Sequence, residues 1–76
     1  NMKVENYKMY LHGNKIAYIE NNTLVLSSCG WETNTTKERL NGILDYLGLD
    51  RIYQKSFIWY IESDQIFFDG YKIPLN

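Results

Sequence analysis

The segment "CGWETNTTKERLNGILDYLGL", residues 29–49, decides the fold, because it contains the clearest helical period of the sequence. Thr35 followed by Glu38 fits a capping box, and Gly48 suits the left-handed residue that often follows a helix. Four apolar residues between these signals fall at i, i+3, i+4 and i+7, on one face of a helix. They are Leu40, Ile43, Leu44 and Leu47. The pattern predicts a helix over residues 36–47.

Short runs rich in β-branched and aromatic residues lie on both sides of this helix and predict strands. The runs before the helix are separated by Gly13-Asn14 and Asn21-Asn22, which tolerate the positive φ of tight hairpin turns. The predicted strands span residues 7–12, 15–20 and 23–28 before the helix, and 51–55, 57–63 and 65–70 after it, with turns near Lys55-Ser56 and Ser63-Asp64. Pro74 ends the pattern because proline cannot donate to a sheet ladder.

The order β-β-β-α-β-β-β predicts an α+β fold, an antiparallel curled sheet of five or six strands packed on one central helix. A chain of 76 residues has room for one domain with one small core. We expect this domain to span residues 2–76, with Met2 as the natural start and Asn1 as an added residue. Aromatic residues make up 16% of the chain, which allows a stable core without a disulfide or a metal.

Two segments, "IAYIENNTLVL" at 16–26 and "IWYIESDQIFF" at 58–68, align without gaps. They are either two hairpins that converge on similar residues or two equivalent ββ units around the helix. Alternation places Phe57, Trp59 and Ile61 on one side of their strand, opposite other apolar side chains. One helix covers only part of a sheet face. The remaining apolar face is therefore either closed within the domain or covered by a partner.

Gly42 lies in the middle of the predicted helix, opposite the apolar stripe. Glycine at such a position costs about 1 kcal/mol relative to alanine. Either this loss is simply tolerated, or the backbone of a partner approaches closely. Together with the aromatic sheet face, Gly42 indicates a protein interface, formed with a second copy of the chain or with another protein. Its predicted residues are Asn41, Gly42, Asp45, Tyr18, Trp59 and Tyr60.

The sequence predicts no enzyme, with no catalytic residue, no cofactor and no metal. His12 and Cys29 are the only histidine and the only cysteine. They end the first and third predicted strands, about 9–10 Å apart, which is too far for a nucleophile and its base. Metal-ligand clusters and phosphate-binding loops are absent from the sequence. The formal charge of −1 comes from eight basic and nine acidic residues without a charged block, so charge points to neither nucleic acid nor a membrane.

The residues before the helix have two interpretations. In the structural one, which we favour, Thr35 caps the helix, Glu38 closes the capping box and Trp31 packs across the strand-to-helix corner. In the functional one, backbone N–H groups at the helix start attract a phosphate and a tryptophan stacks on a base. The contacts of this nucleic-acid site would be Trp31, Thr33, Thr35, Thr36, Lys37 and Arg39.

The run "LSSCGWETNTTKERLNGIL" is similar to a motif of small bacteriophage and prophage proteins of unassigned activity, in which Gly-Trp-x-Thr-x-Thr-Thr precedes Arg-Leu-Asn. The matching residues are Gly30, Trp31, Thr33, Thr35, Thr36, Arg39, Leu40 and Asn41. The resemblance implies a phage origin and expression in a bacterial cytoplasm, but no mechanism. We therefore predict a non-catalytic phage accessory protein that binds a host or phage protein. The alternative is a small nucleic-acid-binding protein.

Overall fold

A computed structural model describes residues 6–75 of the chain. The predicted start at Met2 and the predicted added residue Asn1 lie outside these residues. Within them, three strands precede one helix and four strands follow it. The elements are β1 (Lys8–Leu11), β2 (Asn14–Glu20), β3 (Thr23–Leu26), α1 (Asn34–Tyr46), β4 (Tyr53–Lys55), β5 (Ile58–Ile61), β6 (Gln65–Ile66) and β7 (Tyr71–Pro74). This confirms the predicted α+β class with a central helix.

The strands form two antiparallel sheets rather than one curled sheet. The larger sheet has the order β1-β2-β3-β7 and the smaller one the order β4-β5-β6. The sequence pattern missed β7, whose residues Tyr71 and Ile73 are buried on the core side. Pro74 ends this strand opposite Thr23. β7 lies at an edge of the sheet, where a proline is tolerated because its missing N–H needs no partner there.

Tight turns connect the strands within each hairpin. Leu11 pairs with Asn14, so the first turn is His12-Gly13, one residue earlier than predicted. Both turn residues have positive φ, of 53° and 81°, as a two-residue hairpin turn of type I′ requires. The turn at Asn21-Asn22 lies where the sequence predicted it and has the same geometry.

The turn between β4 and β5 is Ser56-Phe57, because Lys55 pairs with Ile58. Both residues have positive φ, of 53° and 68°. The sequence pattern places Phe57 inside the following strand, on the same side as Trp59 and Ile61. The actual pairing removes Phe57 from the strand, since a two-residue turn fixes the register of the hairpin around it.

The helix begins two residues earlier than predicted. Its N-cap is Thr33, whose Oγ1 accepts a hydrogen bond from the N–H of Thr36 at 3.2 Å. The predicted capping box of Thr35 and Glu38 is therefore wrong, because Thr35 already lies inside the helix. Thr36 is buried and its hydroxyl lies 3.1 Å from the hydroxyl of Thr33. The buried face of the helix thus begins at Thr36, one helical turn before the first buried apolar residue, Leu40.

The C-terminal end of the helix follows the prediction more closely. Leu47 is the C-cap and Gly48 has a φ of 72°. The Gly48 N–H donates to the carbonyl of Asp45 at 3.1 Å, and the Leu49 N–H donates to the carbonyl of Leu44 at 2.8 Å. These two bonds form a Schellman motif, which satisfies carbonyl groups that the helix leaves without partners.

The helix and the inner faces of both sheets share one core. β2 carries one residue more than β1, because Met9 pairs with Ala17 whereas Tyr10 pairs with Lys15. This bulge lets both Ile16 and Ala17 reach the core.

Aromatic rings connect the two sheets within this core. The rings of the buried residues Trp59 and Phe67 lie 5.8 Å apart, and those of Phe67 and Tyr71 lie 6.0 Å apart.

Candidate binding surfaces

A pocket of about 460 Å³ lies between the start of α1 and the first hairpin. Four of the six residues predicted for an anion or nucleic-acid contact line it, namely Trp31, Thr33, Thr35 and Thr36. The other lining residues come mainly from the β1–β2 hairpin and are Leu11, His12, Asn14, Ile16 and Ser28. The structure therefore brings the threonines and the tryptophan together, but next to a largely uncharged wall.

The two basic residues of the predicted site point elsewhere. Lys37 donates a hydrogen bond from Nζ to Oε1 of Gln54 at 3.3 Å, on the β4 side of the helix. Arg39 is exposed and follows Lys37 by two residues, which places it about 200° around the helix axis. The two cations therefore cannot face the same ligand at the helix start. The six predicted residues do not form one site.

Trp31 packs less tightly than the structural interpretation expected. Its side chain is 62% exposed. Its backbone N–H donates to the Ser28 carbonyl, and its own carbonyl accepts from the Thr33 N–H, both at 2.9 Å. The corner is thus held by the backbone, and the indole ring forms one wall of the pocket.

An unpredicted contact fixes the segment that leads into the helix. Asp69 accepts two hydrogen bonds through Oδ1, from the Ser28 N–H at 2.7 Å and from the Ser28 hydroxyl at 2.8 Å. The same hydroxyl accepts a bond from the Gly30 N–H at 3.2 Å. The contact joins residues 41 positions apart, so no local pattern in the sequence could have indicated it.

Two of the six predicted interface residues are buried within the chain. Trp59 is 3% exposed and Asn41 is 6% exposed. The side chain of Asn41 accepts a hydrogen bond from the Ile52 N–H and donates one to the Ile52 carbonyl, at 2.6 and 3.1 Å. Asn41 thus holds the segment after the helix, and Trp59 fills the core. Neither residue offers a surface to a partner, which corrects their assignment to the interface.

The other four predicted interface residues lie on three separate surfaces. Gly42 faces outward, and a Cβ atom built on it would meet nothing within 4 Å. Asp45 lies on the exposed side of the helix and forms an ion pair with Arg51 at 3.2 Å. Tyr18 and Tyr60 are half-buried and belong to different sheets. The predicted interface is therefore not one continuous patch.

The smaller sheet exposes a cluster of apolar side chains. Tyr53 pairs with Tyr60, and Tyr60 pairs with Ile66, so the three side chains lie in one row on the outer side. The rings of Tyr53 and Tyr60 are stacked at 5.6 Å. Ile58 lies on the same side and Phe57 projects from the turn beside it. We call these five residues the outer hairpin face: Tyr53, Phe57, Ile58, Tyr60 and Ile66.

Phe57 dominates this surface because its side chain is 91% exposed. The sequence pattern missed this exposure because it placed Phe57 inside a strand, on the same side as Trp59 and Ile61. The pair Ser56-Phe57 carries no glycine or asparagine, the usual signal for a turn of this type.

A polar contact links the smaller sheet to the larger one. The Tyr71 hydroxyl donates to Oε1 of Glu62 at 2.9 Å, from β7 to the turn after β5. Burial of the ring raises the pKa of the Tyr71 hydroxyl, and the hydrogen bond to Glu62 and its charge raise this pKa further. Burial likewise raises the pKa of Tyr7.

Residues 6–75 form an α+β fold with one helix and two antiparallel sheets. The family profile described as Kyanoviridae Gp96 protein matches residues 1–74, and the chain therefore belongs to this family of phage proteins. This confirms the phage resemblance of the helix-start motif. No match to the chain is found among curated proteins or among solved structures. Within residues 6–75, α1 is too short and too polar to cross a membrane.

Proposed function

We propose that this phage protein is a non-catalytic accessory protein that acts by binding another protein through its outer hairpin face. The observation that carries the proposal is Phe57, a large aromatic residue that is almost fully exposed in a left-handed backbone conformation.

Folding alone does not account for a phenylalanine at this position. A residue with a Cβ atom in the left-handed region costs roughly 1–2 kcal/mol, and glycine or asparagine would avoid most of that cost. An exposed ring gains almost nothing from packing in return. Side chains that break a local rule without a structural gain are typical of functional positions. A partner that covers the ring of Phe57 would supply the missing gain.

The surroundings of Phe57 suit such a partner. Tyr53, Ile58 and Ile66 are all exposed large apolar residues on the same face. With Phe57 they form a patch on the order of 500 Å², a size that marks interaction sites on small proteins. Obligate homodimers bury roughly 1,000 Å² or more on each subunit. The patch is therefore too small for a permanent dimer, and it favours a transient contact with a different protein that offers an apolar surface.

Photo-crosslinking in phage-infected cells tests this proposal. A photoreactive phenylalanine analogue replaces Phe57, and the matched control carries the analogue at the exposed loop residue Asp50. We expect an adduct with one other protein from position 57 and none from position 50. Ile58→Asp in the same chain should remove the adduct, because a carboxylate in the centre of the patch would have to be desolvated.

Three results would contradict the proposal. They are the absence of an adduct at position 57, equal adducts at both positions, and an adduct with the mass of two copies of the chain. Light scattering across a dilution series distinguishes the last case independently. A monomer is expected at every concentration, whereas a stable dimer would show that a second copy covers the face.

A further inference from the structure

The larger sheet has a second exposed surface that the proposed function does not use. Its side chains point away from the core on all four strands. We call it the lysine-tyrosine face, formed by Lys8, Tyr10, Lys15, Tyr18 and Lys72 around Val25, which is only 7% exposed. We propose that this face binds single-stranded nucleic acid. The proposal is independent of the outer hairpin face.

The strand register fixes the orientation of these side chains. Lys8 pairs with Tyr18, Tyr18 with Val25 and Val25 with Lys72, so one row crosses the whole sheet. Directly paired residues point to the same face, and the neighbours of this row along each strand point to the other. Those neighbours are packed in or against the core and include Met9, Ala17, Ile19, Leu24, Leu26, Tyr71 and Ile73.

The bulge in β2 adds Lys15 to this face. Because the bulge turns both Ile16 and Ala17 toward the core, the preceding Lys15 points outward with Tyr18. The Lys15 ammonium lies 4.5 Å from the centre of the Tyr18 ring, which confirms that the two side chains share one side of the sheet. Without the extra residue, alternation would send Lys15 to the core side.

The charge of this face differs from that of the whole chain. The chain has a net charge of −1. The residues of β1, β2, β3 and β7 include three lysines, all of them on this face, and one acidic residue, Glu20, which lies two residues after Tyr18 at the end of β2 and therefore points to the same side. The side chains of these strands thus give the face a formal charge of +2, from three lysines and one glutamate. Lys8 and Lys72 lie three strand spacings apart, about 14 Å, with Lys15 between the outer strands. A polyanionic chain that crosses the sheet would meet all three ammonium groups.

Tyr10 and Tyr18 lie beside the lysines on this face and supply aromatic rings next to the positive charges. Tyr10 is 55% exposed and pairs directly with Lys15. Bases of a single strand can stack on such a ring while the neighbouring lysines contact the phosphates. The bases of a duplex are not accessible in this way, because a duplex presents only base edges within its grooves. A broad sheet face with aromatic rings therefore fits a single strand, as in other four-stranded sheets that stack bases.

Binding of a fluorescein-labelled oligothymidylate, followed by anisotropy, tests the proposal. We expect binding at low salt, and the logarithm of the affinity should fall with the logarithm of salt concentration with a slope of about −2, as three phosphate contacts predict. The triple variant Lys8→Glu, Lys15→Glu, Lys72→Glu should lose at least ten-fold in affinity. The charge-matched control Lys37→Glu, Arg39→Glu, Lys55→Glu should keep the affinity of the natural chain.

Further measurements separate stacking and folding from simple attraction of charges. Tyr10→Ala should weaken binding roughly ten-fold without changing the salt slope. Milder Lys→Gln replacements at the same three positions should also weaken binding, and circular dichroism of both triple variants checks that they fold. The absence of binding at low salt, an equal loss in the control variant, tighter binding of a duplex, or complete displacement by polyglutamate would each overturn the proposal. The last result would show a surface for any acidic chain, including an acidic protein.

Discussion

At the scale of single residues, Asn41 shows how one amide replaces an element of secondary structure. The segment after α1 has no strand partner at Ile52, yet both backbone groups of Ile52 are buried. The Asn41 amide satisfies both of them, with its oxygen and its nitrogen. A buried asparagine with both halves bonded is a structural residue, because a buried polar group without a partner is costly.

Replacement of Asn41 by alanine should therefore destabilise the fold. Two buried backbone groups would lose their partners, and we expect a loss of about 2–4 kcal/mol in the free energy of unfolding. Urea denaturation followed by circular dichroism measures the difference. The matched control is Glu38→Ala on the exposed side of the same helix, which should change the free energy by less than about 0.5 kcal/mol. A similar small effect of Asn41→Ala would show that water replaces the amide.

Phe57 leads to the opposite expectation. Phe57→Gly should increase the free energy of unfolding by about 1 kcal/mol, because glycine adopts positive φ without strain and little packing is lost. The same variant should lose partner binding. Ser56→Gly, next to it in the same turn, is the control, since it relieves similar strain and keeps the ring. A lower stability of Phe57→Gly would show that the ring contributes to the fold, and it would remove the main argument for the proposed function.

At the scale of elements, the start of the helix gives different roles to two threonines: Thr33 is the N-cap, whereas Thr35 lies inside the first turn. Thr33→Ala should cost about 1 kcal/mol, since the bond to the Thr36 N–H and the contact with the Thr36 hydroxyl are lost. Thr35→Ala should change the free energy of unfolding by less than about 0.5 kcal/mol, because Thr35 is an exposed residue of the first helical turn. Denaturant unfolding of the two variants measures both values. A larger loss of stability in Thr35→Ala than in Thr33→Ala would show that Thr35 is the N-cap, as the sequence predicted.

The elements also show which signals a sequence carries. Period and turn residues predicted α1, its end at Gly48, and the hairpin at Asn21-Asn22, because all three depend on residues a few positions apart. The turn at Ser56-Phe57 lies one residue later than the predicted Lys55-Ser56, because neither of its residues favours positive φ and neither therefore marks the turn in the sequence. β7 and the two-sheet arrangement were missed because they depend on pairing with β3, which is far away in the sequence. The sequence indicated four of the residues that line the helix-start pocket, because these four are neighbours in the chain, whereas most of the others come from the distant β1–β2 hairpin.

At the scale of the whole molecule, the bond between Tyr71 and Glu62 joins the two sheets and makes their association sensitive to alkaline pH. The pKa of Tyr71 is raised above the ordinary value of 10.0, mainly by burial. The folded chain therefore holds the proton more tightly than the unfolded chain. This contribution to stability is complete below about pH 10 and is lost as the pH rises through the raised pKa.

We therefore expect the free energy of unfolding to fall above about pH 10, and Tyr71→Phe should weaken this dependence. The variant should also lose about 1 kcal/mol near neutral pH, because it lacks the hydroxyl bond to Glu62. Denaturant titrations at a series of pH values measure both effects. Tyr10→Phe, at an exposed tyrosine of the larger sheet, is the control and should keep the pH dependence of the natural chain. An unchanged pH dependence in Tyr71→Phe would assign the alkaline effect to other groups.

The pairing of β7 with β3 has a consequence for the order of folding. The first two hairpins can close within microseconds, since their turns are short. β3 receives its second neighbour only when a strand on the far side of the helix and the smaller sheet arrives, and closure of such a long loop is slow. During this delay the apolar sequence Thr23–Leu26 forms an open sheet edge. A chain that loses β7 by proteolysis keeps this edge open permanently, and such chains should add to one another strand by strand and aggregate.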